Sequence, residues 1–354
     1  MIKYSIIIPT CHKDLTKRCL DYLSRLNKPK EDYEVLVVHN VTKDDIKSVT
    51  DEFKNKIPNL KYFYEEMYGL MSSRHRGANE AQGEILCYLD DDSFVDKNWL
   101  LAIEETFNDS NVVLSGGNNV PLYESKPPSW LKYFWIKDKH GQWLGQLSLI
   151  CFRRKKIKLP PWFAFGCNFI IKKDIFLKMG GTNPDVVPKE KQRFQGDGET
   201  ALSLKLNQDG YVLHFNPKIK IHHYVPTERM TIEYFQKRAF YQGVCDSFSK
   251  IRKENGFICY DFTQSDINRH YNKTSFLKKL LNKFKSCFFD KVKRKINKIN
   301  SLIHMNINKI SYSIYLDINK ICEKSCKEGF DFHQNEVKND PELLKWVLKE
   351  NYLD

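Results

Sequence analysis

Apolar stretches that alternate with helical segments over the first ninety residues restrict the fold of this chain more than any other feature. "YSIIIPT" (4–10), "YEVLVVHN" (33–40) and "EILCYL" (84–89) are apolar without a polar face, and "KYFYEE" (61–66) is a shorter relative. Segments 14–27, 43–55 and 72–82, which separate them, carry helical spacing. Strands that are apolar on both sides need cover on both sides, so the pattern predicts βαβ units and a mainly parallel sheet flanked by helices, an α/β fold. The stretch "MIKYSIIIPT" reads as a first strand and not as a cleaved leader, because it lacks a small-residue cleavage site. No run approaches the roughly 18 apolar residues of a membrane span.

In parallel sheets, ligands bind beyond the carboxyl ends of the strands. Three polar clusters fall there: Pro9–Thr10, His39–Asn40, and the consecutive acids Asp90, Asp91 and Asp92. Adjacent carboxylates repel, and at a strand mouth they suit a hard divalent cation, Mn²⁺ or Mg²⁺. Such an ion takes one or two protein carboxylates and draws its other ligands from phosphate oxygens and water. It would neutralise charge building on a departing diphosphate. The plainer reading makes the triplet a turn, with Asp96 capping the helix that follows.

The second half changes character. Residues 121–165 are rich in Pro, Trp and Lys, which predicts long loops. "GCNFIIKKDIFLKMGG" (166–181) reads as strand, short helix and glycine stop, and "GDGETALSLKLNQDG" (196–210) as a helix. Two short strands, "YVLHF" and "IKIHHY", and a helix over 229–253 follow. A terminal helix starts at "NDPELLKWVL", with Asp340 before Pro341 as its cap. The formal charge of +13 is unevenly spread: 278–309 holds ten Lys/Arg against one acid, Asp290, with apolar residues at spacings of three and four. That basic amphipathic segment fits a solvated face packed on the rest of the chain, an anionic membrane surface, or nucleic acid. Ten scattered cysteines, without a secretory leader, point to reduced thiols and a cytoplasmic setting, with peripheral attachment to the inner membrane face if the basic segment docks there. Only Cys322 and Cys326 are close, and no second pair completes a zinc site.

In order, "SIIIPT", "EVLVVHN", "GLMSSRHRGANEAQGEILCYLDDDSFV", "GCNFIIKKDIF" and "GDGETALSLKLNQDGYVLHFNP" resemble the blocks of the family 2 inverting glycosyltransferases, which have a GT-A fold. The resemblance covers about residues 3–245. It implies sugar transfer with inversion from a nucleotide-diphosphate donor, UDP-linked in the usual case, to a saccharide or lipid-linked saccharide of a bacterial-type surface polysaccharide. The domain layout expected is residues 1–115 as donor half, 116–250 as acceptor half, and a helical basic region over 251–354. Carried over position by position, Pro9 and Thr10 line the nucleotide pocket and Arg74 meets the donor's base or phosphates. Asp90 and Asp91 meet its ribose and sugar, and Asp92 is the principal metal ligand, with Asp90 as a second. Two departures touch the donor pocket. His39 stands where the family has a base-binding aspartate, and Arg74–His75 replaces an Arg-Asn pair.

Inversion needs a base to deprotonate the acceptor hydroxyl. Aligned with the family's acidic block, Glu199 takes the usual position and Asp197 lies two residues earlier; either acid also suits a helix N-terminus. The block "IKIHHYVPTERMT" implies a histidine at the metal or diphosphate, His223 by spacing, with His222 on the opposite face of the strand. Trp162 and Asn168 are the expected acceptor contacts. Two rivals weigh less. A nucleotidyltransferase needs a glycine-bearing phosphate loop that "PTCHKDLTKR" lacks, and a nucleic-acid-binding protein leaves the aspartates without a purpose.

Overall fold

The computed structural model describes residues 2–137, 140–153, 157–158, 164–258 and 293–353, with the backbone alone for 157–158 and 293–308. Strands β1 (Tyr4–Thr10), β2 (Tyr33–Asn40), β3 (Leu60–Glu65) and β4 (Ile85–Leu89) alternate with helices α1 (Lys13–Leu23), α2 (Ile46–Phe53) and α3 (Leu70–Glu80). They pair in parallel in the order β3-β2-β1-β4. Alternate side chains part to opposite faces. Ile6, Ile8, Val35 and Val37 enter one core, whereas Ile7, Leu36 and Val38 enter another. Burial on both faces is why these strands contain no polar alternation.

Beyond β4 the sheet becomes mixed, with antiparallel and parallel pairs. β5 (Ser93–Val95), α4 (Trp99–Phe107) and β6 (Val112–Tyr123) follow in sequence. β7 (Ile136–Lys137), β8 (Gly141–Leu144), β9 (Leu149–Phe152) and β10 (Ile157–Lys158) come next, and then β11 (Asn168–Lys172) and α5 (Lys173–Lys178). β11 lies between β4 and β6, antiparallel to both. The sheet is therefore uniformly parallel only in its first half, and 121–165 is not simply loop: β7, β8 and β9 form hairpins that bury Leu144, Leu149, Ile150 and Phe152. Helix α6 (Glu199–Gln208) precedes β12 (Val212–Val225), a single strand where two were expected. Its register against β6 shifts between Phe215 and Lys220, and the irregularity accommodates Pro217, which has no N–H to offer a ladder.

Helix α7 (Ile232–Glu254) packs against the 47-residue α8 (Lys293–Asn339), and α9 (Pro341–Val347) closes the described chain. Ser247 Oγ lies 2.7 Å from Nδ1 of the buried His333 across the α7–α8 contact. Asp340 caps α9 as expected, accepting from the N–H groups of Glu342 and Leu343. Of the basic segment, 278–292 lies outside the described residues and 293–309 is the first part of α8. The eight described cysteines are free thiols. Among the described residues no helix is long and apolar enough to cross a membrane.

Candidate active site

The carboxyl ends of β1, β2 and β4 bring Thr10, His39 and the acidic triplet to one edge, with Thr10 in register with His39. Pro9 is buried in β1 where pairing to β4 has already ended at Ile7–Tyr88, so its missing N–H removes no bond on that side. The triplet is a tight turn, Ser93 N–H donating to Asp90 O over 3.0 Å, as the plainer reading held, but the N-cap of α4 is Asn98 and not Asp96, which pairs with Lys220. Its three carboxylates nevertheless go to three different partners. Asp90 accepts from Arg74 Nη2 at 3.1 Å. Asp91 accepts from Thr10 Oγ1 at 2.7 Å and lies 3.2 Å from His12 Nδ1. Asp92 takes Arg229 Nη1 at 2.9 Å on one oxygen and faces His223 Nε2 at 3.3 Å with the other.

Charge follows this division. Burial alone would raise the Asp92 carboxyl; its contacts with His223 and Arg229 outweigh it and hold it at about 2. The hydrogen bond to Asp91 pushes the exposed His12 up to about 10. His12 and Arg229 were not picked out from the sequence. His12 lies 79 residues from its partner Asp91, and Arg229 sits in the one-turn helix Thr227–Met230, where an arginine otherwise reads as surface.

Asp92 Oδ1 and His223 Nδ1 are buried without a hydrogen-bond partner. The nitrogen that faces Asp92 Oδ1 is His223 Nε2, at 3.3 Å, and a carboxylate oxygen beside an imidazole nitrogen suits a divalent ion. No group of three or more His, Cys, Asp or Glu side chains gathers among the described residues, so such an ion would need further ligands from phosphate and water. The pair Cys322 and Cys326 belongs to no such group either. His222 is half-buried on the other side of β12, where burial and then Lys220 lower it.

Arg74, 3% exposed on α3, reaches Asp90 with Nη2 and Glu199 Oε2 with Nη1, at 3.5 Å. Glu199 opens α6 and its Oε1 accepts the Gly166 N–H at 2.6 Å. Burial pushes its carboxyl up to about 6 against the pull of Arg74. Asp197 is placed differently: Asn183 Nδ2 at 2.7 Å and Ser249 Oγ at 2.9 Å hold it toward α7, away from Arg74. The structure thus brings Glu199, and not Asp197, to the acidic corner.

His39 is buried, with Nδ1 2.7 Å from Tyr62 Oη and its ring edge-on to Tyr64; desolvation lowers its pKa. Asn168 corrects an expectation. It is 1% exposed, donates to Asn119 Oδ1 and Ile219 O at 3.1 Å each, and accepts from Trp99 Nε1 at 3.0 Å. With those bonds made inside the core, it is a brace between strands and does not face an acceptor. Trp162 lies outside the described residues. His75 also differs from expectation: it turns from the donor pocket and bonds to the C-terminal segment.

A mixed sheet with an acidic turn at the end of β4, an arginine across it and a buried glutamate opening α6 is the arrangement of a glycosyltransferase of the GT-A type. The sequence pattern described as "Glycosyl transferase family 2" matches residues 5–180, and the chain belongs to that family. It is 22% identical over 223 residues to the glucosyl-dolichyl phosphate glucuronosyltransferase of Haloferax volcanii, spanning 62% of this chain and 68% of that one. To glycosyltransferase AglE of the same organism it is 34% identical over 116 residues, 32% of this chain and 38% of the relative. In fold it is similar to a mannosyltransferase of Pyrobaculum calidifontis solved with GDP-Man and Mn²⁺, with a TM-score of 0.56, 15% identity, and coverage of 92% of this chain and 86% of that one.

Proposed function

We propose that this enzyme moves a sugar with inversion from a nucleoside diphosphate donor, a UDP-sugar being the first to test, to a saccharide or lipid-linked saccharide in surface-glycan synthesis. The observation that carries this reading is the Glu199 carboxylate, buried across Arg74 from the strand-end aspartates, with burial pushing its carboxyl up to about 6. Glu199 takes the proton of the acceptor hydroxyl as that oxygen attacks the anomeric carbon. The bond from that carbon to the diphosphate oxygen breaks, and the electron pair leaves with the diphosphate. Arg74 and Arg229 place positive charge on the two sides of the acidic turn, where the diphosphate would lie. Asp92 and His223 would hold Mn²⁺ or Mg²⁺, with Asp90 a further ligand if it left Arg74, and the ion would supply Lewis-acid neutralisation of the leaving group. Thr10 and His39 line the nucleotide end. Residues 1–115 serve as the donor half, 116–250 as the acceptor half and 251–354 as a helical accessory region.

The basic segment is read as a contact to an anionic membrane surface, with the enzyme peripheral on the cytoplasmic side. Ile310 and Ile314 are exposed on α8 beside the exposed Lys309, and one relative is named for a dolichyl phosphate substrate. Donor hydrolysis tests the core of the proposal without knowledge of the acceptor. UDP-, GDP-, CDP- and dTDP-sugars are incubated with the enzyme and Mn²⁺ or Mg²⁺, and release of free sugar from one class is expected. Release from none, with a thermal shift on oligonucleotide instead, would overturn it.

A further inference from the structure

His75 is the residue that the donor site does not use. It is 5% exposed, directly follows Arg74 on α3, and both its ring nitrogens are bonded, Nε2 also lying 3.3 Å from Thr182 Oγ1. Nδ1 lies 2.9 Å from Tyr352 O, and Nε2 accepts from Thr182 N–H at 3.1 Å. A carbonyl can only accept and an amide N–H can only donate, so the two partners together select the neutral ring with its proton on Nδ1. Burial pushes His75 down to about 4, which agrees with a neutral ring. The ring is sealed on its outer side. Gly181 is at φ +77°, and a Cβ there would sit 2.5 Å from His75 Nε2 and 3.1 Å from Leu353 Cγ, so only glycine lets the C-terminal segment close over the imidazole.

That segment is itself tied down. Tyr352 N–H donates to Gly180 O at 3.1 Å, and Arg252 Nη1 donates to Val347 O and Lys349 O at 2.7 Å each. On the inner side, Thr182 is followed by Asn183, whose N–H donates to Gly198 O at 3.2 Å and whose side chain holds Asp197. Gly198 is the residue before Glu199. A short chain of bonds therefore runs from the C-terminal strap through one imidazole to the turn that carries Glu199, and the same imidazole sits beside Arg74.

We propose that His75, sealed by residues 349–353, is a positioning residue that sets Arg74 and Glu199 against each other. The inference rests on the reading of Glu199 as base, and the test separates the two. Donor hydrolysis over the four nucleotide-sugar classes with Mn²⁺ is compared for the full chain, H75A, E199Q and the double variant. H75A is expected to keep its fold and a KM within about twofold of the parent while kcat falls about tenfold, the scale of a small misplacement. In the E199Q background H75A should add nothing. H75Q, which keeps one donor and one acceptor, should recover most of the turnover. Losses that multiply in the double variant, a change in KM alone, or H75Q as slow as H75A would overturn the positioning role while sparing the base. Undiminished turnover in E199Q by itself would remove the base and this inference with it. Should H75A not fold, H75F, which keeps the ring's bulk without its nitrogens, enters the same cycle.

Discussion

Replacing Glu199 by glutamine should make the protein slower and, near neutral pH, more stable. The amide keeps an oxygen to accept the Gly166 N–H but cannot take a proton. Loss of a general base costs roughly 10²–10⁴ in rate, or about 3–5 kcal/mol of barrier. The stability effect has a defined sign. The Glu199 carboxyl goes from 4.5 to about 6 on folding, so the folded chain binds that proton more tightly than the unfolded one. Ionising it therefore opposes folding by up to about 2 kcal/mol. That cost is absent below pH 4.5, grows between 4.5 and 6, and is full above about 6. E199Q removes the cost but leaves Arg74 with Asp90 alone, so the net gain is below this ceiling. Urea unfolding at pH 4.5 and 7.5 should find E199Q more stable than the parent only at the higher pH. In the parent, kcat/KM should fall as pH drops through about 6. Turnover within tenfold of the parent, or a stability gain that ignores pH, would refute the reasoning.

Asp92→Asn should abolish the Mn²⁺-dependent part of the thermal shift produced by nucleoside diphosphate; an undiminished shift would place the ion elsewhere. Gly166→Ala introduces a Cβ 2.2 Å from Arg74 Nη2, so the guanidinium must move from Asp90 and Glu199. Nucleotide affinity and turnover should both fall, by about tenfold or more, and calorimetric titration with unchanged affinity would contradict this. The chain should float with anionic vesicles and lose them when Lys293, Arg294, Lys295 and Lys298 are changed to glutamate; flotation that survives the change sinks the membrane reading.

The parallel half of the fold was legible because its strands are apolar throughout, and the observed β1, β2, β3 and β4 fall within a residue of their expected spans. β7, β8 and β9 were missed because strands of two to four residues are too short to display a period. β12 was divided because Pro217 interrupts it, although its pairing with β6 resumes at Lys220. At the site, the triplet and Thr10 could be located because sheet topology alone brings strand ends together. Arg229 and His12 could not, since their meaning depends on pairings made only in the folded chain. His75 was placed in the donor pocket by its neighbour Arg74; successive residues on a helix point about 100° apart, and the next side chain faces the C-terminal strap instead.

The pairing of β5 with β12 sets His223 opposite Ser93, and Tyr224 N–H donates to Asp92 O at 2.8 Å. The imidazole and the carboxylate thus hang from adjacent rungs of one ladder, which fixes their spacing before anything arrives. A guest that engages both need not gather them from flexible loops, so little ordering entropy is left to oppose its capture. Its selectivity is then governed by the width of a rigid gap: an ion too small to span it gains one contact, and one too large must push two hydrogen-bonded strands apart.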